Sequence, residues 1–170
     1  MKLDGDDSTL QRTGSLSDLL SPTQLSTLAA LADTLIPADE FPSAWEGGFG
    51  DYLSGLLREP LAQALPSYRA GLDAMDAEAR AWGAASFDLL PTTEREALLS
   101  RVERGEVLTL WEVDAADFFR ELCSRVAEGY YGDPGNHGNR GGASWRMLGF
   151  VPSDADSTTL ASVRDLRTRE

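Results

Sequence analysis

The side chains best equipped for chemistry are few: one cysteine, Cys123, one histidine, His137, and acid pairs such as Asp73 with Asp76 and Asp114 with Asp117. A single cysteine allows no intrachain disulfide and no thiolate metal cluster. No C-x-x-C-H is present, so the chain attaches no c-type haem itself. A zinc site, a di-iron bundle site or a Ser-His-Asp triad would each hang on His137. It lies among glycines and asparagines, where a solvated loop histidine is expected. Cys123 falls within an apolar stripe and reads as an inert core residue. The acid pairs, three residues apart on helices, read as solvated faces rather than a glycosidase-type pair. Asp33 and Asp39 bracket a helix C-terminus, where the dipole disfavours a carboxylate, a hint of a partner or an arginine contact. The expectation is a chain with no catalytic residue, no metal ligand and no cofactor-binding residue of its own.

The most informative stretch is Tyr130 to Phe150, YYGDPGNHGNRGGASWRMLGF. Its glycines, Asp133-Pro134 and asparagines argue against a helix or a central strand. Its aromatics are too apolar for a disordered tail. A long ordered loop is expected, and such loops are functional or cap a core with aromatic anchors. It lacks G-x-x-x-x-G-K-[ST] and a strand-borne G-x-G-x-x-G, so phosphate cradling has little support.

The elements that would position this loop are helical. Ser21-Pro22-Thr23-Gln24 is a capping box, with Pro22 at the first helical position. Leu25, Leu28, Ala29, Ala32, Leu35 and Ile36 then share one face, and Pro37 closes a helix over 22–36. Phe41 and Trp45 are core plugs in the loop 37–48. A second helix is expected over 49–58. A third opens near Pro60 or Pro66, carries Tyr68, Leu72, Met75, Ala79 and Trp82, and ends at Gly83. A shorter one starts at Pro91-Thr92-Thr93-Glu94 and runs to Gly105. The longest stripe pairs Phe118-Phe119, Leu122-Cys123, Val126-Ala127 and Tyr130-Tyr131, which predicts a central helix over 112–130 capped by Gly129 or Gly132. No strand alternation lasts beyond a few residues. The fold class is therefore all-α: one compact domain of five or six helices with long ordered loops, over residues 19–152. Residues 1–18 read as a disordered acidic lead-in, and 153–170 as a polar tail with a short helix near 158–167.

The formal net charge of −13 over 170 residues argues against nucleic acid and anionic membrane surfaces. No segment approaches the ~20 apolar residues of a membrane span, so direct membrane insertion is not expected. The N-terminus lacks the basic start and apolar core of a secretory signal, and Arg12 stands alone without a twin arginine. Three localisations follow: a cytoplasmic protein, export on a partner to the periplasm, or a signal already removed.

One resemblance covers residues 19 to 152. Ser21-Pro22, Gln24-Leu25, Thr27-Leu28 and the run Ala30 to Asp39, ALADTLIPAD, resemble the opening of the gluconate 2-dehydrogenase subunit 3 family. Glu128 to Pro134, EGYYGDP, then Gly138-Asn139-Arg140, Trp145 and Gly149-Phe150, resemble its C-terminal signature. Tyr68 to Leu72 and the Phe118-Phe119 helix fit the family's order. The resemblance implies a non-catalytic small subunit of a bacterial sugar, polyol or glycoside dehydrogenase. The flavin and the catalysis would belong to a large subunit of the glucose–methanol–choline (GMC) type, which this chain would bind and stabilise or mature. FAD is expected in that partner and no cofactor here. A multihaem cytochrome would accept electrons through the complex.

Three departures stand out: the missing twin-arginine signal, Asn136-His137 before Gly138 with Gly141 in place of an acid, and Val151-Pro152 after Gly149-Phe150. The expected partner-binding residues are Tyr131, Asp133, Asn139, Arg140, Trp145 and Phe150. Against that stands a structural role, in which Trp145 plugs the core and Arg140 pairs with a carboxylate of the chain itself. The competing function is a stand-alone helical protein-interaction module without a dehydrogenase partner.

Overall fold

Ser21 sets the first helix. Its hydroxyl accepts from Gln24 N–H at 3.2 Å and the Gln24 side chain accepts from Ser21 N–H at 3.0 Å, which completes the expected capping box. A computed structural model describes residues 14–150 and shows six α-helices, with no strand among the described residues. They are α1 Pro22–Leu35, α2 Phe49–Arg58, α3 Leu65–Ala81, α4 Thr92–Glu103, α5 Ala115–Tyr131 and α6 Ala143–Met147. None of them is long and apolar enough to cross a membrane. The tail helix expected near 158–167 lies outside the described residues, as do positions 1–13.

Residues 14–18, expected in the lead-in, are folded against the domain. Residues 16–18 already form a 3-10 turn, and Leu16 and Leu20 are buried. Arg58 holds this strap: its Nε donates to the Gly14 carbonyl at 3.1 Å and its Nη2 to Asp18 at 2.8 Å. The sequence offers Leu16, Leu19 and Leu20 as a signal here, and all three pack into or against the core.

All five long helices feed one core, with Leu28 and Leu31 from α1 meeting Leu53, Leu72, Leu98 and Leu122. The buried face of α1 is rotated from the expected one. Gln24, Thr27, Leu28 and Leu31 point in, while Leu25, Ala29, Leu35 and Ile36 are half-buried. Polar bonds cause the rotation. Thr27 Oγ1 donates to Asp76 at 2.7 Å, and Gln24 Nε2 donates to Asp73 at 2.9 Å. Asp76 also takes the Phe87 N–H at 2.9 Å. Asp76, 3% exposed, is a structural acceptor between α1 and α3 rather than part of a solvated face, while Asp73 is exposed as expected and accepts from Gln24 at its edge.

Helix α5 starts at Ala115 rather than 112 because Asp114 is its N-cap, accepting from Asp117 N–H at 2.8 Å. Only one row of its stripe is buried: Phe118, Leu122, Val126 and Tyr130. The second row loosens along the helix. Phe119 and Cys123 are half-buried, and Ala127 and Tyr131 are exposed. Cys123 is thus at the margin of the core, where burial pushes its thiol pKa up, aided by Glu103. Phe41 and Trp45 are likewise half-buried, and Ala44 between them is the true plug.

The loop 104–114 is held by a buried carboxylate. Glu78, 2% exposed on α3, accepts from the N–H groups of Leu108 and Thr109, the Thr109 hydroxyl and Trp111 Nε1. Burial alone would raise its pKa, but the bonds from Thr109, Leu108 and Trp111 outweigh it and hold the carboxyl below its ordinary value.

Candidate partner interface

The Tyr130–Phe150 region is ordered, as its aromatics require, but it is not loop throughout. Two 3-10 turns, Pro134–Asn136 and Arg140–Gly142, lead into the short helix α6. Left-handed residues, His137 at φ 69° and Asn139 at φ 41°, make the reversals between them.

Close approach fixes the loop to α5. A Cβ on Gly138 would overlap the Gly129 carbonyl oxygen far inside any real contact distance. Gly129 in turn sits under Tyr52, whose ring a Cβ there would meet at 2.7 Å. Glycine is therefore required at both positions for packing, and Gly132, not Gly129, ends the helix. Tyr52 donates to Glu128 at 2.8 Å, and Arg125 bonds both Glu121 and Glu128 at 2.7 Å. Burial and then Glu128 push the Tyr52 phenol up to about 12.

Asn139 is 1% exposed and wholly occupied by its own chain. Its N–H donates to Gly129 O at 2.7 Å, its Nδ2 to Gly132 O at 2.9 Å, and its Oδ1 accepts from Ser144 N–H at 3.0 Å. It joins the end of α5 to the start of α6. Asp133 is exposed and caps the first turn, accepting from Gly135 N–H at 2.7 Å. Arg140 reaches back to α2: its N–H donates to Gly47 O at 2.8 Å and its Nη2 to Asp51 at 2.7 Å. The guanidinium remains largely exposed beside that carboxylate.

Three apolar side chains face outward at the same end. Tyr131 is 42% exposed, Leu148 64% and Phe150 50%. Trp145 braces them: its Nε1 donates to Tyr131 O at 3.1 Å, and its ring meets Phe150 edge-on with centroids 5.0 Å apart. Tyr130 beneath is buried, and its hydroxyl donates to Pro42 O at 2.7 Å. Of the six expected residues, the structure thus brings Tyr131, Trp145 and Phe150 together on the surface, turns Asn139 inward, and sets Asp133 and Arg140 on the flanks. Leu148 belongs to the same surface. Its signal was available in the sequence, since a leucine between Arg146 and Gly149 has no helix long enough to bury it.

Elsewhere the acids find internal partners. Asp33 accepts from Trp45 N–H at 2.9 Å and Asp39 from Phe41 N–H at 2.8 Å, so neither meets an arginine. Among the described residues, no three His, Cys, Asp or Glu side chains gather as a metal ion would need. His137 is exposed.

A family model described as gluconate 2-dehydrogenase subunit 3 matches residues 22–152, from the first residue of α1 to just past Phe150. The chain belongs to that family. No curated protein and no solved structure matches it. As a subunit 3 chain it has a place in a dehydrogenase complex, and the match includes α1 from Pro22 onward and the whole apolar end built on α5 and α6. Exposed aromatic and leucine side chains clustered on a rigid base are the usual anatomy of a protein-binding surface.

Proposed function

We propose that this chain is a non-catalytic small subunit that binds an FAD-dependent sugar or glycoside dehydrogenase large subunit of the GMC type and stabilises or matures it. The observation that carries the reading is the family match over residues 22–152. The surface of Tyr131, Leu148 and Phe150 supports it, because a monomer gains nothing by holding such groups out of its core. Trp145 and the Asn139 bonds keep that surface rigid, so little side-chain entropy is lost when a partner covers it. Flavin and catalysis belong to the partner in this reading, with a cytochrome taking electrons through the complex.

Co-expression with a GMC-type flavoprotein large subunit from the same genome, followed by size exclusion, tests the reading. The chain is expected to elute in one peak with the large subunit and its flavin absorbance. Separate elution of two intact proteins contradicts it and favours a stand-alone interaction module.

A further inference from the structure

The apolar end of the molecule also carries an excess of exposed acids. Helix α5 finishes there, and the Tyr130 hydroxyl bond to Pro42 ties that end to the loop that follows α1. A helix C-terminus carries about half a negative charge, normally answered by Lys or Arg in the last turn. Neither helix has a basic residue in its last turn. Instead Asp39 and Glu40 follow α1 and Asp133 follows α5, all three exposed. The negative charge of Asp39 is felt at Tyr130, whose phenol is pushed up by burial first and then by Tyr131 and Asp39. Arg146, the one cation on α6, bonds the neutral Gly141 carbonyl and so keeps its own charge among these acids. Arg140 is matched by Asp51. Among the described residues, three exposed acids against one unpaired arginine leave this end net negative around its exposed aromatics. Arg146 offsets part of this charge, and further cations must come from elsewhere.

Resting on the dehydrogenase-subunit reading, we propose that this pole docks into an apolar pocket of the large subunit that is ringed by arginines or lysines. Tyr131, Leu148 and Phe150 fill the pocket, and Asp39, Glu40 and Asp133 pair with the ring. Apolar contact supplies the affinity, while the charges steer the encounter and fix the register. The net charge of −13 makes a second copy of this chain the wrong occupant, since like poles would repel.

The test uses the full chain and a GMC-type flavoprotein large subunit from the same genome, with binding followed as salt rises from about 50 to about 500 mM. Two variants accompany it. One combines Asp39→Asn with Glu40→Arg, where asparagine keeps the acceptor for Phe41 N–H. The other, Glu112→Arg, changes an exposed acid in the loop before α5, at the opposite end of that helix. Association is expected to slow about ten-fold with salt and about ten-fold in the double variant, with Glu112→Arg and all melting temperatures unchanged. A complex that forms but ignores both salt and the double variant overturns this inference and leaves the subunit reading standing. Equal slowing by Glu112→Arg also overturns it, because the effect would then be net charge rather than this pole. No complex at any salt removes the subunit reading itself.

Discussion

Asn139 N–H donates to the Gly129 carbonyl at 2.7 Å, so the signature loop is joined to α5 within the helix's last turn. The bond exists only because Gly138 lets the two backbones touch. Gly138→Ala is therefore expected to cost more than about 2 kcal/mol, since the obstacle is backbone and cannot rotate away. Asn139→Ala should cost about 2 kcal/mol by leaving Gly132 O and Ser144 N–H unpaired in a buried place. Urea unfolding of both variants checks this. Wild-type stability in either would show that the loop is not fastened as described.

Glu78 makes stability depend on pH. Its folded pKa lies below the ordinary value of 4.5, so its contribution is fully present above that value. It is lost as the pH falls through the lower folded value. Glu78→Ala removes this acid sensitivity and, by stranding the donors of Leu108, Thr109 and Trp111, is expected to cost about 3 kcal/mol at neutral pH. Melting temperatures from pH 7 down to about 3 follow both effects. An unchanged variant at pH 7 would show that the 104–114 loop is held by other means.

Tyr131→Ala and Phe150→Ala should separate binding from folding. Both rings are exposed, so each variant is expected to melt near the wild type while weakening the complex by about 2 kcal/mol. Arg140→Ala loses an exposed ion pair with Asp51 and should cost under about 1 kcal/mol of stability. Isothermal titration with the large subunit and thermal melts of the chain alone measure the two quantities. A large stability loss with undiminished affinity would make Tyr131 and Phe150 packing residues.

Local signals were readable before the structure, and long-range bonds were not. The Ser21 cap, Pro22, Gly132 and the Phe118–Tyr130 row announce their helices because their partners lie within four residues. The rotation of α1 depended on Asp73 and Asp76, far along the chain. Asp114 hid as a helical residue because a cap and a first-turn acid look alike in sequence. Glu78 could have been noticed, since it follows Met75 by three and Gly71 by seven on the buried face. Its acceptor role could not, because its donors arrive from the 108–111 segment. In the loop, residue type suggested six partner contacts. The left-handed backbone at Asn139 turns that side chain inward, and the short helix α6 lifts Leu148 outward.

The most direct measurement compares the large flavoprotein subunit made with and without this chain, scored by its flavin content and melting temperature. The account predicts more soluble, flavin-loaded enzyme in the presence of the chain and a melting temperature that rises as the chain is added, by mass action on the folded complex. The isolated chain itself should show no flavin or haem absorbance. Equal flavin content and an unshifted melting temperature at saturating chain would contradict the account.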